Sequence, residues 1–156
     1  MRFFVARPLL PASLRTVQPM FSQEPRLPPR VLVVEDELRI AQLVAEVLEA
    51  EGYEVDTAAN GLLALEKIDE HDYDLILSDL RMPELDGVDL YRELERRQPA
   101  LLSRLLFVSG TTDQPEYRRF LAETAVPVLS KPFALVDLQQ LSRRVLSAHR
   151  RGSEPA

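Results

Sequence analysis

Four separated segments of this chain are built alike. They are Val31-Leu32-Val33-Val34-Glu35-Asp36-Glu37, Leu75-Ile76-Leu77-Ser78-Asp79-Leu80-Arg81-Met82-Pro83, Leu105-Leu106-Phe107-Val108-Ser109-Gly110 and Val128-Leu129-Ser130-Lys131-Pro132-Phe133. Each is an apolar run that ends on a residue with chemistry to offer: paired acids, then a lone Asp, then a hydroxyl, then a Lys. An unbroken run of β-branched residues and Leu suits a strand covered on both faces. In a parallel sheet the carboxyl ends of the strands converge on one edge, where open α/β folds bind ligands. Four distant segments therefore predict one site.

Between them the pattern alternates. The strand Val31–Val34 precedes a helix over Leu38–Ala50, with Leu38, Ala41, Val44, Ala45 and Leu48 inward and Gly52 as its stop. Tyr53–Thr57 reads as the second strand. Asn60-Gly61 opens a helix to about Glu70, with Leu62, Ala64, Leu65 and Ile68 inward. Asp74–Ser78 is the third strand. The turn through Met82, Pro83, Asp86 and Gly87 leads to a helix that ends near Gln98, before Pro99. Ser103–Val108, Asp113–Glu123, Val126–Leu129 and Ala134–His149 complete the series as strand, helix, strand and helix. The last helix turns Leu135, Leu138, Leu141, Val145 and Leu146 to one side. Five successive βα units predict a five-stranded parallel sheet with helices on both faces.

At 156 residues the chain has room for one core and some tail. Cys is absent and His occurs twice, which excludes disulfides, thiolate chemistry and a multi-His metal site. Charge is uneven. Residues 1–30 carry Arg2, Arg7, Arg15, Arg26 and Arg30 against Glu24 alone, a net +4, so the remainder is −10. An acidic body argues against nucleic acid as a direct partner. No apolar run approaches the length of a membrane span. Residues 1–29 hold Pro8, Pro11, Pro19, Pro25, Pro28 and Pro29 and read as a flexible leader, with Met20 as an alternative start. Residues 150–156 read as a short disordered tail, too short for an output domain.

The strand-end residues set the chemistry. Glu35 and Asp36 beside Asp79 would place three carboxylates together. Two unit charges about 4 Å apart at an effective dielectric near 20 repel by roughly 4 kcal/mol, so such a cluster calls for cations. A divalent metal and Lys131 would supply three positive charges against three negative. Mg²⁺ suits a few carboxylates plus water. A carboxylate such as Asp79 can attack phosphorus to form an acyl phosphate, with the transferring group held by metal, ammonium and hydroxyl donors. Lys131 and Ser109 supply the last two.

With these residues in place, the segment 30–149 resembles the receiver domain of two-component response regulators. The matching motifs are Val34-Glu35-Asp36-Glu37, Ala59-Asn60-Gly61, Ser78-Asp79-Leu80-Arg81-Met82-Pro83 with Asp86-Gly87, Ser109-Gly110, and Lys131-Pro132-Phe133. The resemblance implies a flavodoxin-like, doubly wound sheet of strand order 2-1-3-4-5. It makes Asp79 the phosphoacceptor, with Ser109 and Lys131 on the phosphoryl oxygens. Mg²⁺ would be bound by Asp36, Asp79, the backbone carbonyl of Arg81 and, through water, Glu35. The Lys131-Pro132 bond would be cis. The phosphoryl group would come from a histidine kinase or phosphotransfer protein in the cytoplasm. The domain would catalyse only its own phosphorylation and dephosphorylation, and its fourth helix, fifth strand and fifth helix would control a downstream protein. A phosphorylation-dependent homodimer is compatible with this, and Arg81 and Thr111 occupy positions that tune phosphoryl lifetime in the family.

Val128 departs from the family pattern, because many members carry an aromatic three residues before the Lys. Output is then expected through the loop and fourth helix. Other readings fare worse. A haloacid dehalogenase-type phosphatase wants an acid two residues after its nucleophile, where Arg81 stands. A flavodoxin needs a hydroxyl-rich loop after the first strand, where Glu35-Asp36-Glu37 would repel phosphate. The intact acid, hydroxyl and Lys set argues against a degenerate interaction domain. His71 lacks the surroundings of a phosphodonor and reads as a surface turn. Tyr53, Tyr73, Tyr91, Tyr117 and Phe107 read as packing residues, with Tyr117 also a candidate interface residue.

Overall fold

The computed structural model of the protein describes residues 27–152, and side chains through residue 149. Most of the expected leader and tail therefore lies outside the described residues. The elements run β1 (Arg30–Val34), α1 (Leu38–Ala50), β2 (Glu54–Ala58), α2 (Gly61–Glu70), β3 (Leu75–Ser78), α3 (Gly87–Arg97), a 3-10 helix (Pro99–Arg104), β4 (Leu105–Ser109), α4 (Pro115–Thr124), β5 (Val128–Ser130) and α5 (Leu135–Gly152). The strands form one parallel sheet of order β2-β1-β3-β4-β5, as expected.

Period-two alternation divides the strand side chains between two cores. Leu32, Val34, Ile76, Leu105 and Phe107 pack on one face with Ala64, Leu65, Ile68, Leu90, Leu94 and Tyr117. Val31, Val33, Leu75, Leu77, Leu106 and Val108 pack on the other with Val44, Leu48, Leu138, Val145 and Leu146. The first face thus receives α2, α3 and α4, and the second α1 and α5. Covering both faces is what lets β1, β3 and β4 be apolar except at an end residue, Arg30, Ser78 and Ser109.

The termini of the helices are specified locally. Asn60 Oδ1 accepts from the Leu63 amide at 2.9 Å and Asp86 Oδ1 from the Asp89 amide at 2.9 Å, each satisfying an otherwise unpaired donor of a first turn. Gly52 stops α1 with φ +91°, a left-handed conformation natural to glycine, and its amide bonds the Glu49 carbonyl.

Several expectations shift. Ser103 and Arg104 belong to the 3-10 helix that follows Pro99, so β4 begins at Leu105 and reaches Ser109. β5 begins after Pro127, whose missing N–H keeps it out of the ladder as a donor. α5 continues to Gly152, three residues past His149. Leu38, Leu62 and Leu135, expected inward, are exposed. Each sits in the first turn of its helix, and the buried stripe starts later, at Ala41, Ala64 and Leu138.

Candidate functional site

Glu35, Asp79, Ser109 and Lys131 all stand at carboxyl ends of strands. Parallel pairing fixes their relative placement. Val34 pairs with Ser78, so the residues that follow, Glu35 and Asp79, leave β1 and β3 side by side. The Asp79 amide still bonds the Val34 carbonyl at 3.0 Å. Ser109 pairs with Ser130, and the Lys131 amide bonds the Ser109 carbonyl at 3.0 Å.

One carboxylate oxygen from each of Glu35, Asp36 and Asp79 lies within 4.8 Å of the others. Their burial is graded: Glu35 is 6% exposed, Asp79 half-buried and Asp36 exposed. Lys131 answers the cluster. Its Nζ donates to Glu35 Oε2 at 2.6 Å and to Asp79 Oδ2 at 3.2 Å. The Glu37 amide donates to Glu35 Oε1 at 3.1 Å, and the Arg81 amide to Asp79 Oδ1 at 3.3 Å. Asp79 thus offers one oxygen to the ammonium and the other to the loop that follows it.

Electrostatics follow from burial and pairing. Burial pushes the Glu35 carboxyl above its ordinary range, against the pull of Lys131 and the Glu37 amide. Burial would lower the Lys131 ammonium, but its bonds to Glu35 and the charge of Asp79 outweigh this and raise it. The ammonium faces two carboxylates at once, Glu35 at 2.6 Å and Asp79 at 3.2 Å, which favours a charged Lys131.

The donor set suits a hard divalent cation. Octahedral Mg²⁺ bonds oxygen at about 2.0–2.1 Å, so opposite ligands lie roughly 4.2 Å apart, on the scale of this cluster. Two of the three acids already face Lys131, which leaves Asp36 and the outer oxygens for a metal and its waters.

Ser109 stands apart in one respect. Its side chain is fully buried, and its hydroxyl lies 2.9 Å from the Thr111 hydroxyl and accepts from the Thr111 amide at 3.3 Å. The Lys131-Pro132 peptide is cis, as expected. His71 caps the end of α2 on the surface. Tyr117 is buried in the core and not an exposed interface residue. Sequence reasoning missed the direct Lys131–Glu35 bond, which no local pattern signals across 96 residues.

A family model described as "Response regulator receiver domain" matches residues 31–143. The chain belongs to the response regulator receiver family. The receiver is 34% identical over 119 residues to the response regulator receiver protein CpdR of Brucella abortus, covering 76% of this chain and 98% of that one. It is 36% identical over 118 residues to the sensor kinase CckA of the same organism, covering 74% of this chain but 12% of the kinase. Among solved structures it resembles the chemotaxis protein CheY4 of Vibrio cholerae at 31% identity and a TM-score of 0.68, over 76% of this chain and 98% of that one. It also resembles the receiver domain of the sensor histidine kinase PA1611 of Pseudomonas aeruginosa at 26% identity and a TM-score of 0.69, over 77% and 98% of the two chains. That structure has a magnesium ion coordinated in the active-site cleft. The protein is thus a receiver domain of two-component signalling. Among the described residues, no helix is long and apolar enough to cross a membrane.

Proposed function

We propose that this receiver is a phosphorylation-dependent switch in which Asp79 takes a phosphoryl group from a histidine kinase or phosphotransfer protein in the cytoplasm. The observation that carries the reading is the placement of Lys131 Nζ, 3.2 Å from Asp79 Oδ2, beside a cluster of three carboxylates. Asp79 is less buried than Glu35, which is 6% exposed, and its other oxygen accepts from the Arg81 amide of the loop that follows.

An Asp79 carboxylate oxygen attacks phosphorus in line with the departing imidazole nitrogen. The new P–O bond forms as the P–N bond breaks, and the electron pair stays on the imidazole. Lys131 moves from Asp79 onto a phosphoryl oxygen and keeps Glu35 as its anchor. The Ser109 hydroxyl donates to a second phosphoryl oxygen. Asp36, Asp79 and the Arg81 carbonyl would hold Mg²⁺ directly and Glu35 through water. When bound, the ion neutralises charge on the transferring group.

The product state differs from the resting state in what Ser109 and Lys131 touch. Those contacts bias a pre-existing equilibrium of the face formed by α4, β5 and α5, which controls a downstream protein. Self-phosphorylation and self-dephosphorylation are then the only chemistry of the domain.

The test is intact mass after incubation with a small phosphodonor, with and without Mg²⁺, on the wild type and Asp79→Asn. One phosphoryl adduct that requires both Mg²⁺ and Asp79 is expected. A folded wild type that acquires no adduct and binds no beryllofluoride overturns the reading.

A further inference from the structure

The resting contacts of Ser109 imply a cost that phosphorylation must meet. Ser109 ends β4, and its backbone is fixed there because its carbonyl accepts from the Lys131 amide at 3.0 Å. Movement of its hydroxyl therefore has to come from side-chain rotation and from the loop that follows. That hydroxyl is fully buried and already has both of its local partners on Thr111, the side-chain oxygen at 2.9 Å and the amide at 3.3 Å.

Thr111 is itself held in place. Its carbonyl accepts from the Gln114 amide at 3.2 Å. The next residue, Thr112, places its hydroxyl 3.2 Å from that of Ser130, which directly precedes Lys131 on β5. The loop is thus pinned to itself and to β5, and Thr111 acts on Ser109 as an anchor.

We propose that Thr111 is a positioning residue whose hydroxyl holds the Ser109 hydroxyl away from the phosphoryl site in the resting receiver, so that this bond must break for the active state to form. The proposal rests on the reading of Asp79 as phosphoacceptor and of Ser109 as a phosphoryl donor. Removing the Thr111 hydroxyl leaves Ser109 buried with one fewer partner in the resting state only. A buried hydroxyl without its bond is disfavoured, so the equilibrium moves toward the state in which the phosphoryl group supplies the missing partner. Thr111→Val removes the hydroxyl at nearly constant volume, and Thr111→Ser keeps it.

The experiment measures the affinity of beryllofluoride with Mg²⁺ for the wild type, Thr111→Val, Thr111→Ser, Ser109→Ala and the Ser109→Ala/Thr111→Val double variant, with melting temperatures to confirm folding. The expected result is affinity about two- to tenfold tighter in Thr111→Val, as one net hydrogen bond predicts. Thr111→Ser stays at the wild-type value, and Thr111→Val has no effect once Ser109 is Ala. Unchanged or weaker binding by a folded Thr111→Val overturns the proposal, as does a gain that persists undiminished without the Ser109 hydroxyl. A wild type that binds no beryllofluoride overturns instead the reading of Asp79, and this proposal with it.

Discussion

Lys131 and Glu35, 96 residues apart in sequence, meet at 2.6 Å. Glu35 is the most buried acid of the cluster and Lys131 is 19% exposed. The bond ties the end of β1 to the end of β5, which lie three places apart in the sheet and share no strand pairing. Asp79, which directly follows β3, lies between them in the sheet order and shares the same ammonium.

Lys131→Ala therefore leaves Glu35 and Asp79 without their shared cation. A loss on the order of 2–3 kcal/mol is expected in the presence of a chelator, as for a hydrogen bond to a charged group that is removed from a buried partner. Mg²⁺ replaces part of the missing charge, so the variant gains more stability from the metal than the wild type does. Urea midpoints with and without Mg²⁺ measure both. Equal metal-dependent gains in the two proteins would show that Lys131 does not balance the cluster.

Gly87 opens α3 directly against the backbone of Asp79 and Leu80. A methyl group there would overlap the Asp79 carbonyl oxygen and stand 2.9 Å from Leu80 Cα. Both obstacles are backbone, and the Gly87 amide is bonded to the Leu80 carbonyl at 2.9 Å, so neither side can retreat freely. Gly87→Ala is expected to cost about 1–3 kcal/mol from overpacking and to slow phosphorylation, because relief of the clash displaces Asp79. Chemical denaturation and the initial rate of adduct formation test the two effects together. A variant that is destabilised but phosphorylates at the wild-type rate would separate α3 packing from Asp79 placement.

At the other end of β1, Arg30, Asp56 and Tyr73 form a polar clasp. Asp56 Oδ2 accepts from the Tyr73 hydroxyl at 2.7 Å and from Arg30 Nε at 3.0 Å, with the Arg30 guanidinium 5.6 Å from the Tyr73 ring centre. Burial alone would raise the Asp56 carboxyl, but the bonds from Tyr73 and Arg30 prevail and hold it below its ordinary value. Burial first, and then the bond to Asp56, push the Tyr73 phenol well above its own. A carboxyl depressed in the folded state stabilises the fold above its unfolded value, near pH 3.9, and that contribution is lost as pH falls through the folded value. The urea midpoint of the wild type should thus fall more steeply below about pH 4 than that of Asp56→Asn. Parallel acid limbs would mean that Asp56 carries no net linkage.

The clasp and the site differ in how visible they were beforehand. The strands were legible because burial on both faces demands apolar runs with few alternatives, and the site because its residues follow those runs without a gap. The helix stripes were legible only from the second turn. Leu38, 69% exposed, fits the periodicity of α1 yet is the first residue of the helix, ahead of the buried stripe that starts at Ala41. The 3-10 helix at Pro99–Arg104 was hidden because Pro99 ended the helical pattern and its last residues, Ser103 and Arg104, lead into β4 with no turn signal between. The partners of charged and hydroxyl groups were not legible. Lys131–Glu35, Ser109–Thr111 and Asp56–Tyr73 depend on side-chain direction, which spacing does not encode.

Val128, the departure from the family pattern, lies half-buried on β5. It pairs in register with Phe107, the fully buried ring at the centre of β4. Phe107 meets Phe120 of α4 edge-on at 5.9 Å, and Phe120 meets Tyr91 of α3 in the same manner at 5.2 Å. Val128 is half-buried and packs against the same core as Phe120 and Leu121. Val128→Tyr adds ring volume against that core, at an expected cost of about 1–3 kcal/mol where the ring is held inward. Phe120→Ala should relieve that overpacking, so the double variant loses less stability than the two single losses combined. Denaturation of the four proteins gives the coupling. Strict additivity would mean that the two rings do not compete for one space, and that β5 has room for the aromatic its sequence omits.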